Sequence, residues 1–258
     1  MAPFKNLLIP AMVQQAAQHL RRHWRRHWRG FDAAAVTAQA TQSLEALEMK
    51  ARAMQICAAL EATLPADFDC ASGLLKSALA PMQGDTVAGP TDLALQGLQH
   101  GLRGWVLWPA GKYIARRGRA DPERALSALQ AITQRFTAEF AIRPLIVQHP
   151  VLCFTTLQRW TADPSAHVRR LVSEGSRSRL PWGLRLQSLV RDPTPGGHVG
   201  ERAPARRACS TPRDAETRQP HAGETRPRAH AAGLGLGSGV HGGGGVASTP
   251  ASTASPCR

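Results

Sequence analysis

Lysine is nearly missing from this chain. Lys5, Lys50, Lys76 and Lys112 are the only four among 32 basic residues, so a net charge of +14 against 18 acids is carried almost wholly by guanidinium groups. Guanidinium suits bidentate phosphate contact better than ammonium does, and an isoelectric point near 11.1 implies an anionic partner, nucleic acid before membrane surface. Cysteine is also sparse: Cys57, Cys70, Cys153, Cys209 and Cys257 are odd in number and contain no C-x-x-C, which argues against a disulfide framework or a zinc site. Long apolar runs are lacking. No stretch reaches the roughly 18 to 20 apolar residues of a membrane-spanning helix. The opening MAPFKNLLIPAM carries no long apolar core, and Arg21-Arg22 is followed by HWRRHWRG, so neither a secretory nor a twin-arginine signal is expected. A reducing cytoplasm is the expected location. No metal constellation and no phosphate-cradling glycine loop appear, and no cofactor is expected.

Sustained period-two alternation is absent as well, which excludes a sheet-based fold and leaves helical periodicity as the ordering signal. Between Asp32 and Leu64, Leu44, Leu47, Ala51, Met54 and Ala58 recur at three and four, and Pro65 ends the pattern. A further helix is expected around Leu74, Leu75 and Leu79, then a turn-rich linker from Gly84 to Pro90 and a helix from Asp92 to His100. Trp105 and Trp108 bracket an expected bend at Pro109 and read as packing residues. Asp121-Pro122-Glu123 opens a capped helix, with apolar positions from Leu126 to Phe140, that Pro144 is expected to close; Pro150 to Trp160 forms the next. Asp-Pro pairs at Asp121, Asp163 and Asp192 are compatible with helix-pair repeats of roughly 40 residues. In the tandem HLRRHWRRHWRG, Trp24 and Trp28 are expected to pack inward and the arginines to form a solvated face, with a basic lipid- or DNA-binding patch as the alternative.

Thr161 to Gly183, TADPSAHVRRLVSEGSRSRLPWG, concentrates the chemistry. Asp163 reads as an N-cap with Pro164 at the first helical position; Val168, Leu171 and Val172 make an apolar stripe, and Gly175 stops the helix. Arg169, Arg170 and Glu174 fall on or beside its exposed flank. Arg177, Arg179 and Trp182 follow in a loop whose composition suits phosphates and stacking on a base or sugar. From spacing alone, Glu139 is better explained by pairing with Arg143, and Glu174 by pairing with Arg170.

HVRRLVSEGSRSRLPWG resembles the signature of the AlkC branch of the AlkC/AlkD-type DNA alkylation repair proteins. QRFTAEFAIRPLI, Gln134 to Ile146, and GLRGWVLWPAGKYIARRG, Gly101 to Gly118, are similar to the same family. The resemblance implies an all-α superhelix of HEAT-like repeats, an α-solenoid, over residues 1 to 193. It also implies a monomeric glycosylase that excises cationic N3-alkylated purines, such as 3-methyladenine, from duplex DNA containing alkylated bases, with no membrane partner. Glu139 and Glu174 are thereby implied as the catalytic carboxylates, and Trp182, with Arg169, Arg170, Arg177 and Arg179, as DNA contacts. The alternative function is a helical-repeat module that binds DNA without turnover.

From residue 194 onward the composition changes. Residues 193–258 contain no Lys, Ile, Met, Phe, Trp or Tyr, and carry eight arginines against four acids amid glycine-, alanine- and proline-rich sequence. No core can form from such a segment, so residues 194–258 are expected to be a disordered tail. The resemblance places a further aspartate beyond this point, and no residue there is assignable to it. The tail therefore reads as an out-of-frame or truncated end of the repeat array. Leu171, Val172, Leu184, Leu186 and Leu189 are expected to lack partners where a final repeat would cover them.

Overall fold

A computed structural model describes residues 7–26, 28–82, 98 and 100–195. Within them the chain is helical with no strand, apart from one isolated parallel bridge between Leu79 and Leu102. The expected linker over 84–90, most of the expected helix over 92–100 and the tail from 196 lie outside the described residues. No described helix is long and apolar enough to cross a membrane.

Helix α1 (Pro10–Trp24) starts with its proline at the first turn and buries Met12, Val13, Ala17, Leu20 and Trp24. The Trp24 indole is fully buried, and its Nε1 donates to the Leu74 carbonyl at 2.9 Å. The tryptophan thus points inward as expected, leaving Arg21 and Arg22 exposed. The single helical pattern read over 32–64 is in fact two helices, α2 (Ala33–Thr41) and α3 (Met49–Thr63), separated at Ser43, which takes φ 52°. A buried Arg52 staples that break by donating to the carbonyls of Leu47 and Glu45. Helix α4 (Phe68–Ser77) is capped by the Asp67 carboxylate, which accepts from the Cys70 amide. Cys57 and Cys153 are free, buried thiols. Gly101 passes against the backbone of Ala80 at φ +136°, where an added Cβ would lie 2.5 Å from the Ala80 Cα; only glycine fits.

Helix α5 (Leu107–Arg117) carries Pro109 in its first turn, where a missing amide costs no helical hydrogen bond, so the expected bend is a helix start. Trp105 and Trp108 pack on each other at 5.8 Å and on Phe136 and Phe140, respectively. Helix α6 (Pro122–Thr133) has the expected Asp121 cap, which accepts from the Arg124 amide at 3.1 Å. It does not run to Pro144. It stops at Thr133, and Pro144 lies inside a new helix, α7 (Glu139–Gln148). The break is tertiary in origin: Arg135 donates to the carbonyls of Ala80 and Ala131, and Phe136 turns onto Trp105. Helix α8 (Pro150–Trp160) follows with the expected bounds. Helix α9 (Ala166–Gly175) begins later than expected, because the Asp163 carboxylate accepts from the Ser165 amide and from Gln130 Nε2, both at 2.8 Å, and makes a turn instead of a cap.

Helices α3, α5, α7 and α9 form one row, each touching the next; α4 and α6 pack behind it, and α8 packs against α7 and α9. This is a helical-repeat array, as read from the sequence. Short helix α10 (Gln187–Arg191) closes the described end. It corrects the expectation of stranded leucines: Leu171, Val172, Leu186 and Leu189 are all buried, and only Leu184, half exposed, stays open.

Candidate functional site

The residues singled out in Glu139 to Trp182 gather at one seam, between α7, α9 and the loop that leaves α9. Close approach makes the seam possible. Gly175 ends α9 against α7, where an added Cβ would meet Ile142 Cγ2 at 2.9 Å. Glu139 opens α7, a position that favours a carboxylate by the helix dipole. Its side chain is 8% exposed; one oxygen accepts from the Thr137 hydroxyl and the other pairs with Arg170 Nε of α9 at 3.4 Å. Glu174, one turn beyond Arg170 on α9, pairs with Arg177 Nη1 at 2.8 Å and keeps 21% of its side chain exposed. The spacing-based partner of Glu139 is therefore replaced. Glu139 pairs across helices with Arg170, not within α7 with Arg143, and Glu174 pairs with Arg177.

Arg143 has a different role. It is fully buried, and its guanidinium donates to the carbonyls of Leu184, Gly175 (3.0 Å), Arg177 (2.7 Å) and Ser178 (3.3 Å). One side chain of α7 thus gathers the backbone of the whole loop from 175 to 184. Burial, then the nearby Arg177, pulls its pKa below the usual guanidinium range. Sequence reasoning passed over this residue, treating it only as a partner for Glu139. The available signal was its setting, Ala141-Ile-Arg-Pro-Leu-Ile, in which both flanks are apolar and a solvated arginine is out of place.

Trp182 sits at the tip of that loop with φ 62° and 67% of its surface exposed. A bulky residue in the left-handed region is a backbone outlier that only a surrounding constraint maintains. Here the constraint is the Arg143 clamp together with the Gly183 amide bonded to the Leu180 carbonyl at 3.0 Å. Of the remaining arginines, Arg170, Arg177 and Arg179 are exposed. Arg169 is turned back, donating to the carbonyls of Asp163 and Pro164 at 2.7 and 2.8 Å, so its hydrogen bonds secure the start of α9. Among the described residues no group of His, Cys, Asp and Glu is placed to hold a metal ion.

No protein-family model matches the chain. Over 95 residues it is 42% identical to a Bacillus subtilis (strain 168) protein described as uncharacterized protein YhaZ, the match taking in 37% of this chain and 26% of that protein. Among solved structures it is similar to the Pseudomonas fluorescens alkylpurine DNA glycosylase AlkC bound to DNA containing an abasic site analog. That similarity has a TM-score of 0.64 and 28% identity over 78% of this chain. The chain spans 50% of the glycosylase's length.

Proposed function

We propose that this chain binds duplex DNA containing alkylated bases and hydrolyses the N-glycosidic bond of cationic N3-alkylated purines, 3-methyladenine among them. The observation that carries the reading is the likeness to a solved alkylpurine DNA glycosylase on abasic DNA. The α7–α9 seam gives the reading its residues. A cationic alkylpurine leaves as a neutral base, so the leaving group needs little protonation. The developing charge is on the sugar, and a fixed carboxylate stabilises an oxocarbenium-like centre and orients the attacking water. Glu174, the more accessible of the two, is the carboxylate we assign to that sugar; Glu139, paired with Arg170, is the second. Arg177 and Arg179 precede the exposed Trp182 in the same loop and suit phosphates of a nucleotide whose sugar or base contacts the indole. Arg170, 60% exposed, is a further phosphate donor, and Arg169 supports from behind.

Release of 3-methyladenine from methylated duplex DNA, followed chromatographically, tests the assignment. The intact chain is expected to release it. Glu174→Gln keeps the size of the side chain and removes its charge, and is expected to slow release by roughly a hundredfold or more with melting unchanged. Release that is undiminished in Glu174→Gln would remove this residue from the chemistry.

The second reading is a module that binds DNA without turnover. It is favoured by the arginine pairing of both carboxylates, which offsets the negative charge the chemistry would use. It predicts binding that weakens steeply with salt and no released base.

A further inference from the structure

Residues 1–31 contain no aspartate or glutamate, yet five arginines, Arg21, Arg22, Arg25, Arg26 and Arg29, lie in one short stretch of them. All five are exposed. Asp32, the first acid of the chain, directs its carboxylate to the amides of Ala34 and Ala35 at the start of α2. Among the described residues no ion pair involves these arginines. Their charge is uncompensated.

Aromatic packing nonetheless anchors the stretch on either side of them. Trp24, Trp28 and Phe31 pack on one another, with the Trp24 and Phe31 centroids 4.9 Å apart edge to face, and Trp24 is hydrogen-bonded to α4. The Trp28 indole lies over Gly30, within 2.7 Å of where a Cβ would stand. Around this aromatic anchor Arg21, Arg25, Arg26 and Arg29 border an open recess of about 700 Å³ floored by Trp28 and Phe31. The recess belongs to the α1–α2 turn, and α3, α5 and α7 intervene between it and α9.

We propose that Arg21, Arg25, Arg26 and Arg29 form a second docking surface for the phosphodiester backbone of duplex DNA, separate from the α7–α9 seam. A closely spaced set of guanidinium groups on a rigid turn matches a polyanion with regularly spaced phosphates, and pre-ordering of the turn lowers the entropic cost of contact. A lipid surface fits less well. An in-plane membrane helix needs an exposed apolar face, and in α1 that face, Met12, Val13, Ala17, Leu20 and Trp24, is consumed by the core. The inference rests on the reading that the chain engages DNA and adds a contact that is blind to sequence and lesion.

The experiment measures the affinity of the full chain for an undamaged duplex over a series of salt concentrations. The variants carry all four arginines as glutamine (R21Q, R25Q, R26Q, R29Q) or all four as lysine. The glutamine variant is expected to bind more weakly and to flatten the log–log salt slope by about two to four, since each neutralised phosphate contributes about 0.9. The lysine variant is expected to retain the slope, which separates lost charge from lost structure. A glutamine variant with wild-type slope and affinity overturns the inference. So does one that keeps the slope but loses retention on phosphatidylserine vesicles that hold the wild type, which would make the patch a lipid surface. Base release by the wild type is followed in parallel. If it is absent while the slope falls, the docking surface stands and the glycosylase reading fails; if it is present while the slope is unmoved, only the docking surface fails.

Discussion

Arg143 directs three nitrogens at four carbonyl oxygens, and two other arginines in the array work in the same way, Arg52 on the turn between α2 and α3 and Arg135 on the carbonyls of Ala80 and Ala131. Part of the guanidinium excess is therefore structural. A planar fork satisfies several backbone acceptors in a connection that has no ladder of its own. Lysine offers one point charge and no fork, so Arg143→Lys is expected to strand at least two buried carbonyls. Removing one partner from a buried charged network costs on the order of 3 kcal/mol. Urea denaturation should show that loss, whereas Arg179→Lys, on an exposed side chain, should show almost none. Trp182 poses the opposite case. Its φ of 62° is unfavourable for any residue with a Cβ, and its ring is mostly in solvent. Trp182→Gly is expected to leave stability unchanged or raised by up to about 1 kcal/mol, because relieved backbone strain offsets the entropy of the glycine, while DNA affinity falls. A loss of stability with unchanged affinity would make the indole a loop anchor.

At the scale of elements, the α7–α9 seam depends on the absence of a side chain at Gly175. A methyl group there meets Ile142 Cγ2 at 2.9 Å, so Gly175→Ala must push the two helices apart or force Ile142 off its rotamer. Overpacking of this kind costs about 1 to 3 kcal/mol. Because the Gly175 carbonyl is also held by Arg143, the same change is expected to loosen the loop bearing Trp182, readable as faster amide exchange over 176–184. Local signals located α8 and the cap of α6 correctly, since an Asp-Pro or His-Pro start is encoded within a few residues. They failed where packing decided. Pro144 was read as a terminator, yet α7 continues through it because Ile142, Leu145 and Ile146 are buried on both sides. The break that does occur, between Thr133 and Glu139, contains neither glycine nor proline and is made by Arg135 and Phe136 reaching distant partners. The same limit applies to the site. Glu139, Glu174 and Trp182 stand out in their motifs as candidates, but the Glu139–Arg170 pair and the Arg143 clamp join residues more than thirty positions apart, which no helical spacing encodes.

At the scale of the whole molecule, the core of the array is continuous among the described residues from Leu8 to Leu189, and α10 adds Leu189 to it at the described end. We therefore propose that the folded body ends near Pro195 and that the residues beyond it add no cooperative stability. Their composition supports this, since a segment without Ile, Met, Phe, Trp or Tyr has little apolar surface to exchange for the conformational entropy of ordering. A chain ended after Pro195 is expected to melt within about 2 °C of the full chain under reducing conditions. A stabilising contact of 1 kcal/mol from the missing segment would lower the midpoint by about 2 to 4 °C in a domain of this size, so calorimetry decides the matter. The full and shortened chains are also expected to share nearly one salt dependence on DNA if binding lies in the helical array. A slope that collapses on shortening would move the DNA contacts into the tail's eight arginines and away from both surfaces described in the body.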